Sequence, residues 1–504
     1  MLSIDELTIS QVHTAYQSGT YTCRQLVEAY LARIDALDQA GPKLNAITVI
    51  SPRAVDEADA VDAHYHQHKS FIGPLHGVPV IVKDQCDTKG LETTYGNICC
   101  AHIPAEDATL VRRLREAGAV ILAKSTMPVN GSINWTAIPI DFAASFNSAS
   151  SVSGETLNPY DVTRETGGSS AGTGAAIAAN YGLIGVGEDT GGSIRVPSSF
   201  CNLVGLRPTV GLVSRAGLSP LLKTQDTPGP MTRTVRDAAL MLDVLAGYDP
   251  KDPYTATAAI AGRPEGGSYA TNLSENVLSN ARIGVLNSVF GPESDAECAS
   301  VNEVVRSALA QFPTTGTTLI DIDIPQLDHY LNFTSMFMSR SRSDIDSFLA
   351  THPIIHGVTV ESIYSSQKFH SSLPTFNRIA TGVTSPYDDP QYAQRLDQRE
   401  EFQRVVIGIM AEYKLDAIAY PSVQIPAPLM TDVLGSRFNN GFPTNTSIGS
   451  QLRQPAISVP VGFTQKDGLP VGLELLGIPF AEQKLLQLAY GVEALIGARK
   501  APDL

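Results

Sequence analysis

Only six cysteines are spread over the 504 residues (Cys23, Cys86, Cys99, Cys100, Cys201 and Cys298), and no two form a C-x-x-C pair. That supply is too sparse for a disulfide scaffold and lacks the spacing of a structural zinc or a redox dithiol, so a reducing cytoplasm is the expected location and no metal is expected. Positive charge is also short. With 36 Lys and Arg against 51 Asp and Glu, the net charge of −15 repels phosphate backbones and anionic membrane surfaces, which argues against nucleic-acid and membrane partners. No apolar run reaches the roughly 18 to 20 residues of a bilayer span, and MLSIDELTISQ has neither a basic n-region nor an apolar h-region. Glycine (41) and proline (32) stand at background levels and no internal repeat is visible, which excludes collagen-like and long disordered chains.

What remains is a globular composition, 43% hydrophobic and 17% charged. At roughly 150 residues per domain the length suits about three folding units or one unusually large one. Thr22-x-x-Gln25 reads as a capping box, and Val27, Tyr30, Leu31, Ile34 and Leu37 follow at helical spacing, predicting a helix over 23–38 that Gly41-Pro42 stops. Short β-branched runs then alternate with helical stretches. Strands are expected at 78–82, 119–123, 183–186, 282–289, 417–420, 456–461 and 471–475, with helices near 108–116 and 237–245. The alternation predicts an α/β fold: a central twisted sheet, mixed but mainly parallel, flanked by helices. Between about 325 and 400 the rhythm gives way to aromatic and Ser-rich sequence, including Phe333, Met336, Phe337, Phe348, Tyr364, Phe369 and Phe376. Irregular core helices account for it; an apolar substrate-pocket wall is the sharper reading.

Three segments stand out for glycine and serine around a lysine: Gly77 to Asp84, Gly167 to Gly172, and Gly187 to Arg195. Lys83 ends an apolar strand, where desolvation lowers a lysine pKa toward that of a usable base, although a lysine snorkelling from a strand end reads the same way. In Thr190-Gly191-Gly192-Ser193, two residues without Cβ precede a hydroxyl, so successive backbone N–H groups can converge on an oxyanion; alone, the string is also an ordinary tight turn. Gly168-Ser169-Ser170-Ala171-Gly172 formally matches the G-x-S-x-G elbow of a serine esterase with Ser170 as nucleophile, with His329, His352, His356 or His370 as the downstream base. The polar stretch 161–166 before it is unlike the buried strand such an elbow needs. Gly185-x-Gly187 lacks the third glycine of a dinucleotide loop, and the alternating His64, His66 and His68 suit a solvated face.

Together these segments resemble the amidase signature family. The resemblance runs from Gly73-Pro-Leu-His-Gly-Val-Pro to Gly205-Leu-Arg-Pro-Thr209, and continues in Asp226-Thr-Pro-Gly-Pro-Met231 and Gly468-Leu-Pro-Val-Gly-Leu473. Gly118 to Pro128 is similar to a signature strand, and Asn158-Pro-Tyr to Gly172 to a signature loop. It implies one domain over 1–504 with a signature core at 73–209 and a variable region at 325–400. It also implies a Ser–Ser–Lys triad of Ser193 as nucleophile, Ser169 as bridge and Lys83 as base, with an oxyanion hole from Thr190, Gly191, Gly192 and Ser193. Gly168, Asp189 and Arg195 would support the site, Met127 would bind substrate, and a non-proline cis peptide would precede Ser169. Three departures from the family pattern stand in the sequence: Ala171, Glu188 where serine is common, and Val129-Asn130 in place of an acidic-aromatic pair. The implied activity is cofactor-free hydrolysis of a small-molecule carboxylic amide, aryl amide or carbamate through an acyl-enzyme. The alternative is a glutaminase-like subunit of a tRNA amidotransferase, which needs partner chains; a homodimer is compatible with the first reading.

Overall fold

The computed structural model describes residues 2–127, 149–150, 154–366, 374–434, 437–438 and 441–504. The strands in chain order are β1 (Ile47–Ile50), β2 (Pro79–Lys83), β3 (Val120–Ser125), β4 (Ala149–Ser150), β5 (Gly154–Glu155), β6 (Leu157–Asn158), β7 (Asp161–Glu165) and β8 (Ile184–Asp189). They continue with β9 (Val204–Arg207), β10 (Thr227–Thr232), β11 (Arg282–Leu286), β12 (Thr318–Ile322), β13 (Ala417–Pro421), β14 (Ala456–Phe463) and β15 (Pro470–Leu476). Eleven of them form one sheet in the order β1-β3-β2-β8-β10-β9-β14-β15-β13-β11-β12; β4 pairs with β5, and β6 with β7.

The sheet is mixed, but the expectation that it is mainly parallel fails. Four neighbouring pairs are parallel and six antiparallel. The parallel pairs lie in two blocks, β3-β2-β8 and β13-β11-β12, where β-branched runs alternate with helices. Between the blocks runs an antiparallel centre whose β10, Thr-Pro-Gly-Pro-Met-Thr, carries two prolines that lack the ladder N–H. Its pairing with β9 begins only at Met231 and Thr232, past both prolines.

One apolar cluster extends from Ile4 to Val492 and joins both blocks. The helix Ala171–Ala178, built of Ala, Gly, Thr and Ile, packs on β2, β3, β8 and β10. Small residues let it lie close: a Cβ at Gly172 would stand 2.3 Å from Thr126 Oγ1. The 325–400 region is helical as expected, with Leu327–Phe333, Phe337–Thr351, Val360–Ser365, Pro374–Thr381 and the start of Tyr392–Glu412. Ile345, Leu349, Ile363, Phe376 and Ile379 form a separate small core there with Tyr95 and Leu221. Phe369 and His370 lie outside the described residues. Among the described residues no helix is long and apolar enough to cross a membrane.

Candidate active site

Strands β2 and β8 are parallel neighbours, so Lys83, the last residue of β2, and Glu188 near the end of β8 arrive at the same edge of the sheet. Ser169 comes to this edge just before the helix Ala171–Ala178. Lys83 is fully buried, and its Nζ donates to Ser169 Oγ at 2.8 Å and to the Glu188 carbonyl at 3.3 Å. Burial pushes the Lys83 pKa down, while the negative field of Glu188, Asp189 and Asp226 works against that fall. The Gly168–Ser169 peptide bond is cis, as the resemblance implied. Ser193 opens slightly to solvent at 3% exposure. Its carbonyl accepts from Ser170 N at 3.1 Å, and its Oγ makes no hydrogen bond among the described residues. The expected bridge is therefore half made, from Lys83 to Ser169; hydrogen bonds to a nucleophile commonly tighten only when substrate is bound.

Ser193 lies on the turn between β8 and the helix Arg195–Phe200. Among the described residues the N–H groups of Gly191, Gly192 and Ser193 have no hydrogen-bond acceptor. Gly192 has φ 141°, and a Cβ there would stand 2.0 Å from Thr446 Oγ1, so glycine is required on both counts. Thr446 in turn donates to the Gly191 carbonyl at 2.8 Å. Thr190 is anchored at both ends, its hydroxyl donating to Asp226 at 2.6 Å and its carbonyl accepting from Gln225 Nε2 at 2.7 Å.

Beneath the turn, Asp189 accepts from Arg195 Nε and Nη2 at 3.1 Å each, from Arg207 Nη1 at 2.8 Å and from Ile194 N at 3.1 Å. Burial alone would raise its pKa, but the two guanidinium groups hold it well below the usual carboxylate range. Arg195 also donates to Glu474 on β15 and to Ser450 at 2.7 Å. The structure thus joins Asp189 and Arg195 as expected and adds Arg207, Glu474, Ser450 and Thr446, none of which stood out in the sequence. One signal was there: Glu474 is a lone charge inside the apolar run Val471–Leu476.

Ser170, the elbow candidate, is fully buried, its Oγ accepting from Glu188 N and donating to Glu188 O at 3.2 Å each. The polar stretch before it forms β7, in a two-stranded ribbon outside the large sheet. Met127 is buried just past β3, and Val129 and Asn130 lie outside the described residues. A cavity of about 340 Å³ opens beside Glu188, lined by Arg215, Lys223, Asp226, Tyr254 and Phe348 among others; Met127 is not part of its wall.

A second polar group lies apart from these serines. Asp87, His102 and His352 bring ligand-type atoms within 4.8 Å of one another. His352 Nδ1 accepts from the Ile355 N–H at 3.0 Å, which leaves its proton on Nε2, 3.0 Å from the Tyr95 hydroxyl; that hydroxyl donates to Asp87 at 2.6 Å. A proton on Nε2 suits a hydrogen-bond chain and blocks the nitrogen a metal would need. His66 and His68 are exposed at the end of the helix Ala54–His68, as read from the sequence, while His64 is half-buried and packs against the His68 ring.

An α/β sheet that gathers a buried lysine and two serines at one edge belongs to a recognisable class of enzymes acting on carbon–nitrogen bonds. Residues 25–486 match the Amidase family model, and the chain belongs to that family. It is 32% identical over 520 residues to a glutamyl-tRNA(Gln) amidotransferase subunit from Alkaliphilus metalliredigens, covering 99% of this chain and 98% of that one. The protein of the same name from Moorella thermoacetica is 34% identical over 479 residues, 92% of each chain. Among solved structures, the native peptide amidase of Stenotrophomonas maltophilia superposes with a TM-score of 0.84 at 30% identity, covering 99% of both chains.

Proposed function

We propose that this chain hydrolyses small-molecule carboxylic amides, with Ser193 as nucleophile, Ser169 as proton bridge and Lys83 as general base. The observation that carries the reading is the 2.8 Å bond from Lys83 Nζ to Ser169 Oγ, two fully buried side chains. Ser193 Oγ attacks the amide carbon and passes its proton to Ser169, which hands its own to Lys83. The resulting oxyanion is met by the N–H groups of Gly191, Gly192 and Ser193, with Thr190 at the rim, each such donor being worth about 3 to 4 kcal/mol. Lys83 then returns the proton through Ser169 to the amine nitrogen as the C–N bond breaks, leaving an ester on Ser193. Water attacks that ester through the same relay. Every proton transfer uses this chain's own residues, and aryl amides and carbamates share the machinery.

Residues 73–209 supply the reacting groups in this reading, and the 325–400 region supplies a pocket wall, a role supported by Phe348 in the cavity beside Glu188. Gly168, Asp189 and Arg195 hold the site; nothing in the surroundings of Met127 favours the substrate contact expected of it. No disulfide forms among the described residues, which supports a cytoplasmic location.

The second reading, a glutaminase-like subunit working with partner chains, is favoured by the names of the two relatives at 32% and 34% identity. The peptide amidase likeness favours the first. Amine or ammonia release from an amide panel by the purified lone chain, sized by gel filtration, tests the choice. Turnover without partners supports independent hydrolysis; labelling of Ser193 without turnover of any amide supports the second reading.

A further inference from the structure

We propose that Glu188 is the charge partner of Lys83, a positioning residue whose carboxylate raises the proton affinity of the lysine and stabilises the ammonium formed when Ser193 gives up its proton. The inference rests on the proposed role of Lys83 as base and concerns what that base faces. Glu188 Oε2 lies 3.8 Å from Lys83 Nζ, and the two side chains are 1% and 0% exposed. Among the described residues neither carboxylate oxygen of Glu188 has a hydrogen-bond partner. Its main chain, by contrast, is fixed on both sides: N and O bond to Ser170 Oγ, and O also accepts from Lys83. The backbone fixes where the side chain starts, and burial on all sides keeps the carboxylate beside the lysine.

The neighbouring charges are already engaged. Asp189 is held by Arg195 and Arg207, and Arg207 is spent on Asp189 and the Gln225 carbonyl. Asp226 accepts from the Thr190 hydroxyl and the N–H groups of Leu221 and Leu222, and Arg215 pairs with Asp252. Lys124 is bound to Asp84 and Thr93, and burial pushes the nearby Cys86 thiol up to about 12, so it stays neutral. Glu188 is thus the one charged side chain at Lys83 without another partner among the described residues.

Burial and then the charge of Asp226 push the Glu188 pKa up to about 8, burial pushes the Lys83 pKa down, and the mutual attraction of Glu188 and Lys83 opposes both shifts. At the top of the pH profile the lysine is neutral and the carboxylate charged. When the serine proton reaches Nζ, the ammonium forms 3.8 Å from a negative charge instead of alone in the core. Replacing the carboxylate by a neutral group leaves a weaker base that loses its proton at lower pH.

The test follows the rate of Ser193 labelling by a fluorophosphonate against pH, which needs no knowledge of the substrate. In Glu188→Gln the acid limb is expected to move down by about one pH unit or more, with a lower plateau. Glu188→Ser is expected to move the same way and serves if the glutamine variant does not fold. A midpoint unchanged in the folded variant overturns the proposal, because a purely structural role would alter yield or melting temperature and not the pH of the limb. Absence of labelling in the unaltered protein would instead strike at Ser193 as nucleophile.

Discussion

Ser193 and Lys83 are separable by experiment because they fail differently. Ser193→Ala keeps the turn backbone and removes the hydroxyl, so fluorophosphonate labelling and turnover should vanish while the melting temperature holds. Labelling that persists would move the nucleophile to Ser170, despite the two bonds that tie its Oγ to Glu188. Lys83→Ala should slow labelling by about 10²- to 10⁴-fold, the usual worth of a positioned base, and native labelling should rise with pH as the lysine loses its proton below the ordinary lysine range. A pH profile identical in Lys83→Ala would remove the base role. At this scale the sequence was legible wherever residues act close together along the chain: Asp189, the turn 190–193 and Arg195 fall within seven positions. Glu474 and Thr446 were not, because they reach Arg195 and Gly191 across 279 and 255 positions, and no local spacing records such a pairing.

Among the elements, the helix expected at 23–38 runs over Cys23–Leu37, and its capping box closes as read, Thr22 and Gln25 each bonding to the other's backbone. Strand positions were legible for the same local reason, an apolar β-branched run. Strand direction was not, since it depends on distant partners: β10 holds two prolines yet lies inside the sheet, and polar β7 is a strand because β6 and the Ala427–Leu429 stretch give it neighbours. Two substitutions probe the turn that links β8 to the following helix. Gly192→Ala forces a methyl onto Thr446 Oγ1 at a φ that alanine rarely adopts, so labelling should be lost and stability should fall by about 1 to 3 kcal/mol, measured by urea denaturation. Arg195→Met strips Glu474 of its buried cation and Asp189 of one of two, and should cost about 3 to 5 kcal/mol in the same assay. A change under about 1 kcal/mol would mean that the network is not held together by its charges.

At the scale of the whole molecule, buried carboxyls set how the fold responds to pH. Burial raises Glu493 to about 7, so the folded chain holds this proton more tightly than the unfolded one. Stability from such groups is present at low pH and lost as pH climbs through their folded values. His76, pushed down to about 4 mainly by burial, and His13 and His352, also lowered mainly by burial, have the opposite effect until an unfolded imidazole is fully neutral, about a unit above pH 6.5. Between about pH 6.5 and about pH 8 the melting temperature of the unaltered protein should therefore fall relative to that of Glu493→Gln, which lacks the titrating carboxyl. Parallel curves for the two proteins over that interval would contradict a carboxyl raised by burial at Glu493. The order of the sheet bears on biosynthesis. Strands β14 and β15, which follow all the other strands in chain order, stand between β9 and β13, and β15 brings the carboxylate that Arg195 needs. Until they leave the ribosome the nascent chain is two half-sheets with unpaired edges at β9 and β13, open to aggregation and to chaperones. The turn that carries Ser193 cannot gain its buried ion pair to Glu474 before β15 is made, and a chain arrested short of Ala456 should be captured by a holdase and remain unreactive toward fluorophosphonate.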